Sequence, residues 1–166
     1  DHAQDTKRVD ELSLYYLSIH SPENQAKLID EFSHISRNNI NIAHFYARFI
    51  ANISQKYSEI GEEISSKLES SFINFVKAQN NSGRNAYNPK LHIARYLGEL
   101  SLLNVGIESY FQCLQFSLKN FVGQTVDMVC TLILTSGQFL DKFCDATHIR
   151  IRNIIGTLKR FSTKDI

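Results

Sequence analysis

Apolar residues recur at intervals of three and four along most of this chain, the spacing of one face of an α-helix. From about Lys7 to His20 the stripe is Val9, Leu12, Tyr16 and Ile19, with Asp10 and Glu11 in the first turn, where the helix dipole favours them. Ser21-Pro22 restarts the chain as N-cap and first helical residue, and a second helix runs to about Ser36 with Ala26, Ile29, Phe32 and Ile35 inward. Arg37-Asn38-Asn39 breaks it. A third helix, about Asn41 to Tyr57, carries Ile42, Phe45, Phe49, Ile50 and Ile53, and a fourth, about Ser58 to Gln79, carries Ile60, Ile64, Leu68, Phe72, Phe75 and Val76. The polar run from Asn80 to Asn88 ends at Pro89 and predicts a long loop over 80–89. Helices over about Pro89–Leu103 and Ile107–Asn120 flank the turn Val105-Gly106, and a last one spans about Ala146–Phe161 with Ile149, Ile151, Ile154, Ile155 and Leu158.

Between the last two lies the most apolar stretch, Val126 to Leu140. On a helix, Val126, Val129, Cys130, Ile133, Gly137 and Leu140 share one face, while Met128, Leu132 and Phe139 cover another. A helix apolar nearly all round is expected to be buried. With Asp127 and Gln138 inside it, it is too short and too interrupted for a bilayer, which needs about 20 apolar residues. Gly137 is expected at a close crossing with a neighbouring helix, because glycine in a helix interior otherwise costs about 1 kcal/mol. The count is about eight helices joined by short turns, with no competing strand pattern. Pairs of roughly 35–45 residues have the period of HEAT-like repeats. Periodicity leaves two all-α architectures open, a solenoid of antiparallel hairpins and a closed bundle.

Composition narrows this little. The chain has 166 residues, 43% hydrophobic and 21% charged, enough for one domain with a core. We take 7–166 as that domain and 1–6 as a mobile terminus. Net charge is +1, so no global argument for nucleic acid exists. The charge is unevenly placed: residues 1–83 hold 8 basic against 11 acidic residues, and residues 84–166 hold 10 against 6. Cys113, Cys130 and Cys144 form no C-x-x-C pair and read as reduced core thiols of an intracellular protein, Cys144 the least so.

Three stretches carry a resemblance. They are Phe45-Tyr46-Ala47-Arg48-Phe49-Ile50-Ala51; Arg95-Tyr96-Leu97-Gly98-Glu99-Leu100; and Met128 to Leu132 followed by Thr135 to Leu140. In this order and spacing they resemble the MIF-4G family, named for the middle domain of translation initiation factor 4-gamma. Within it they are most similar to the repeats of the up-frameshift-two adaptors of nonsense-mediated mRNA decay. The first stretch favours the second of those adaptors' repeats; the third stretch fits the third repeat nearly as well. The likeness runs from about Val9 to Arg160, with a poor match over 58–88 and about one helix pair missing at the end. It implies an α-solenoid of HEAT-like hairpins, no catalysis, no cofactor and a cytoplasmic scaffold whose partners are proteins of the mRNA surveillance complex. The alternative within the family is a module that binds and regulates a DEAD-box RNA helicase in translation initiation or splicing.

Candidate sites follow from charge. Arg150, Arg152, Lys159, Arg160 and Lys164 could form a patch for an acidic partner or for phosphate backbone, giving a weak RNA contact; the competing reading is a solvated helix face. Tyr46, Arg48, Arg95, Gly98, Glu99 and Gly137 are expected to serve the fold, with Arg48 reaching a carboxylate on an adjacent helix and Arg95 pairing with Glu99. The six histidines and seven glycines are scattered, without metal-ligand spacing or a phosphate-cradling loop. Neither a small-molecule substrate nor a membrane is expected as a partner.

Overall fold

A computed structural model describes residues 2–34, 41–78, 89–121 and 125–162. Among these the secondary structure is helical: α1 (His2–Ser18), α2 (Pro22–Phe32), α3 (Ala43–Ser54), α4 (Ser58–Lys77), α5 (Pro89–Leu102), α6 (Ile107–Lys119), α7 (Thr125–Leu132), a π-helical turn (Ile133–Gly137), α8 (Gln138–Phe143) and α9 (Asp145–Ser162). Since α7, the π turn and α8 are continuous, eight helical units form four consecutive pairs. Residues 2–6, expected outside the first helix, belong to α1. Most of the loop read over 80–89 lies outside the described residues.

The pairs stack as two rows. In one, α1 packs on α3, α3 on α5 and α5 on α7; in the other, α2 packs on α4 and α4 on α6. Within pairs, α3 packs on α4, α5 on α6 and α8 on α9. This is the arrangement of an α-solenoid, in which each repeat buries its apolar face on its neighbours. Equivalent helices of successive repeats lie side by side and run parallel. Arg48 of α3 meets Asp10 of α1 across a separation of 38 residues, and Asn52 meets Ser13 across 39. Arg150 of α9 meets Glu108 of α6 across 42.

Local chemistry explains the boundaries. The Ser21 hydroxyl accepts the Asn24 amide hydrogen bond at 3.2 Å and Pro22 opens α2. The α5–α6 turn uses Asn104 and Gly106, both left-handed (φ 62° and 65°). Gly106 has a second reason to lack a side chain, because a Cβ there would lie 2.7 Å from Cβ of Ser65. The core is continuous from Ile50, Ile60, Ile64 and Leu68 through Tyr96, Leu97 and Leu100 to Phe111, Leu114 and Met128.

The apolar stretch from Val126 departs from expectation in three ways. It buries one face, Met128, Val129, Leu132, Ser136, Gly137 and Leu140, not its whole circumference. Leu134 is 85% exposed, and Cys130 faces solvent with Cys144, so only Cys113 is a core thiol. The close crossing is also elsewhere. A Cβ on Gly137 would meet only Ile133 of its own turn, at 3.1 Å, whereas a Cβ on Gly98 of α5 would lie 2.6 Å from Thr135 Cγ2. Gly98 is therefore the small residue that lets α5 approach the π turn. In that turn side chains occupy ladder carbonyls: Thr135 Oγ1 donates to Thr131 O at 2.7 Å, and Tyr110 Oη donates to Leu132 O at 3.0 Å. Competition of this kind distorts an α-helical ladder.

Candidate functional site

The predicted basic patch lies on α9 and is divided between two faces, because Arg150 and Arg152 are two positions apart on a helix. Arg150 points to α6. Its Nη1 and Nη2 donate to Glu108 Oε2 and Oε1 at 2.6 and 3.1 Å, and its guanidinium lies 3.9 Å from the centre of the Phe111 ring. Those hydrogen bonds hold the Glu108 carboxyl below the usual carboxylate range, with a further contribution from Gln112. Arg152 points to α8, where Nε and Nη2 hold Asp141 Oδ1 and Oδ2 at 3.0 and 2.8 Å. His148 Nδ1 lies 3.1 Å from the same carboxylate. Arg160 donates to Thr157 Oγ1 at 3.1 Å and to Gly156 O at 3.3 Å. Lys159 is exposed on α9, and Lys164 lies outside the described residues. Two of the patch's arginines are thus already committed to carboxylates of the same chain.

Of the residues read as structural, Arg48, Tyr46 and Gly98 sit at contacts between helices, whereas Arg95 and Glu99 pair within α5 and Gly137 faces only its own turn. Arg48 forms a bidentate pair with Asp10, Nε to Oδ1 and Nη2 to Oδ2 both at 2.7 Å, and Asn52 adds a hydrogen bond to Oδ1 at 2.8 Å. These donors, Arg48 first, keep the Asp10 carboxyl below its ordinary range. Arg95 donates to Glu99 at 2.7 Å along α5. Tyr46 lies against Phe32 and Tyr96, with ring centres 5.0 and 6.3 Å away.

Two grooves lie beside these contacts. One, about 340 Å³, runs among α1, α2 and α3 and is lined by Leu12, Tyr15, Tyr16, Ile19, Phe45 and Phe49, among others. It exists because much of the predicted apolar stripe of α1 is uncovered: Leu12 is 57% exposed and Ile19 44%. The other, about 350 Å³, separates α6 from α9. Leu118 and Ile154 are its apolar lining, and Gln115, Lys119, Arg150, Asn153 and Thr157 supply the polar groups. The Arg150–Glu108 pair spans the two helices near one end, and Phe121 stacks on Phe161, 4.8 Å between ring centres, toward the other. Sequence reasoning missed Gln115, Lys119, Asn153 and Thr157. The signal available was the lack of any acidic residue over 109–126 and over 146–162. It could not be used without knowing that α6 and α9 are neighbours.

Among the described residues no group of three or more His, Cys, Asp or Glu side chains could hold a metal ion, and no helix is long and apolar enough to cross a membrane. Cys113 is buried and its thiol pushed up by burial, while the exposed Cys144 is held lower by hydrogen bonding to Thr147.

No family model matches the chain. Its sequence is 25% identical over 155 residues to the regulator of nonsense transcripts UPF2 of Arabidopsis thaliana, covering 92% of this chain and 13% of that protein. It is 24% identical over 147 residues to regulator of nonsense transcripts 2 of mouse and of human, covering 88% of this chain and 11% of theirs. The chain thus spans a small part of the length of the relatives it matches.

Proposed function

We propose that this chain is a non-catalytic protein-docking module, a MIF-4G-like solenoid within a regulator of nonsense-mediated mRNA decay that works in the cytoplasm. The observation that carries the reading is the similarity, along nearly the whole chain, to proteins named as regulators of nonsense transcripts. Stacked parallel helices give such a module long ridges and grooves on which extended partners can lie. Pairing of Arg150 with Glu108 and of Arg152 with Asp141 supports protein docking over RNA as the main role, since phosphate contact needs cations not already neutralised.

The experiment is affinity capture with the tagged chain in its own cells, followed by mass spectrometry. Recovery of nonsense-decay factors above a surface-scrambled control is the expected result; their absence refutes the reading. Weak RNA contact through Lys159 and the following residues is tested separately by titrating oligouridine at two salt concentrations. A slope of log affinity against log salt near zero removes it, because single strands give about −0.7 per neutralised phosphate.

A further inference from the structure

We infer that the groove between α6 and α9 seats a short acidic peptide segment bearing one apolar anchor side chain. The inference rests on the docking-module reading above and gives one of its surfaces an occupant. Charge selects the sign of the partner. Lys119 on one wall supplies positive charge, Arg160 lies at the edge through its bond to Thr157, and Arg150 on the other wall, its charge offset by Glu108, contributes N–H donors. The only acidic residue of α6 is Glu108, and none occurs in α9 after Asp145. Both Glu108 oxygens are held by Arg150, and Gln112 donates a third bond at 2.8 Å, so Glu108 has little capacity left to attract a basic partner.

Arg150 is preorganised for the role. The pair with Glu108 uses one hydrogen on each terminal nitrogen, which leaves three of the five guanidinium N–H groups. Stacking on Phe111 fixes its plane, so little further ordering is needed on binding. The remaining lining distinguishes a peptide from a nucleic acid. Leu118 and Ile154 are aliphatic and suit one buried aliphatic or aromatic side chain. The aromatic rings at the far end, Phe121 and Phe161, already stack on each other instead of offering faces to bases. The carboxamides of Gln115 and Asn153 both donate and accept, as an extended peptide backbone requires. From Arg150 to Thr157 the groove runs about 10 Å at 1.5 Å per helical residue, the reach of about three extended residues.

Fluorescence anisotropy with a labelled nine-residue peptide of Asp, Glu and Gly around a central leucine tests this. Saturable binding is expected. Salt should weaken it, and so should serine in place of the leucine, Lys119→Glu on one wall or Asn153→Asp on the other, by about tenfold for each of the three changes. Both substituted side chains are exposed, and unchanged circular dichroism and melting will show that the variants fold. No saturable binding, equal binding of the serine peptide, insensitivity to both variants, or tighter binding of oligouridine overturns the proposal. Capture of nonsense-decay factors by a chain that fails to bind the peptide removes the groove's occupant and leaves the docking reading standing. Peptide binding by a chain that captures none of those factors does the reverse.

Discussion

Replacing Gly98 by alanine tests the crossing that brings α5 against the π turn. The new methyl carbon would lie 2.6 Å from Thr135 Cγ2 and 2.7 Å from Thr135 Cβ. Ordinary carbon contacts begin near 3.5 Å, so nearly 1 Å must be found. A change of Thr135 rotamer moves Cγ2 but leaves Cβ in place, because Cβ is fixed by the backbone. The helices themselves must therefore separate. Overpacking at such a site costs about 3 kcal/mol, at the upper end of its usual range, and alanine returns about 1 kcal/mol of helix propensity. The net loss is about 2 kcal/mol. For a domain of this size that lowers Tm by about 4–8 °C. Gly156→Ala on α9 is the control, since a Cβ there meets nothing within 4 Å. It should raise Tm by about 2–4 °C through propensity alone. Scanning calorimetry on both variants decides the matter. If Gly98→Ala melts at or above the unsubstituted chain, the close-approach argument is wrong. In a double-mutant cycle with Thr135→Gly, which removes both clashing atoms, the two changes should compensate by about 1–3 kcal/mol.

The two most buried tyrosines should respond oppositely to loss of the hydroxyl. Tyr110, whose pKa burial pushes up to about 12, donates to Leu132 O at the π turn. Tyr110→Phe should destabilise by about 1 kcal/mol in urea unfolding. The Tyr96 hydroxyl is buried without a hydrogen-bond partner among the described residues, so Tyr96→Phe should be neutral or stabilising by about 1 kcal/mol. The Asp10 carboxyl is held below its ordinary range by Arg48 and Asn52. Its stabilising contribution is present above about pH 4 and is lost as pH falls through the lower folded value. Tm of Asp10→Asn should therefore fall less steeply below about pH 4 than that of the unsubstituted chain. The effect is small, about 0.2–1 kcal/mol, because both partners are about two-fifths exposed. Iodoacetamide should label Cys144 and Cys130 in the folded chain and Cys113 only in urea, as mass spectrometry of the digests will show.

The sequence by itself determined the elements and their pairing. Stripes such as Ile60, Ile64, Leu68 and Phe72 have one period and one buried face, and Ser21-Pro22 marks a helix start by local hydrogen-bond chemistry alone. Each apolar stripe must find a neighbour, but periodicity leaves a solenoid of hairpins and a closed bundle both open, and the packing of α1 on α3, α3 on α5 and α4 on α6 decides for the two-row stack. Tertiary structure decided which apolar residues are covered and which charges are committed. Leu12 and Ile149 carry the helical pattern yet stand largely in solvent, because no helix among those described covers them. Gly137 looked like the packing glycine, but position along a helix does not say which neighbour crosses there; the crossing fell on Gly98. The carbonyl of Leu132, just before the π turn, takes a hydrogen bond from a hydroxyl 22 residues away, and the α6–α9 groove is made by residues some 40 apart in sequence. For Arg150 and Arg152 the sequence leaves a partner patch and a solvated helix face both open; the fold brings Glu108 and Asp141 to them. What remains open on that face lies on Lys119 and its neighbours, which no local pattern marks, because a groove between two helices belongs to neither of them alone.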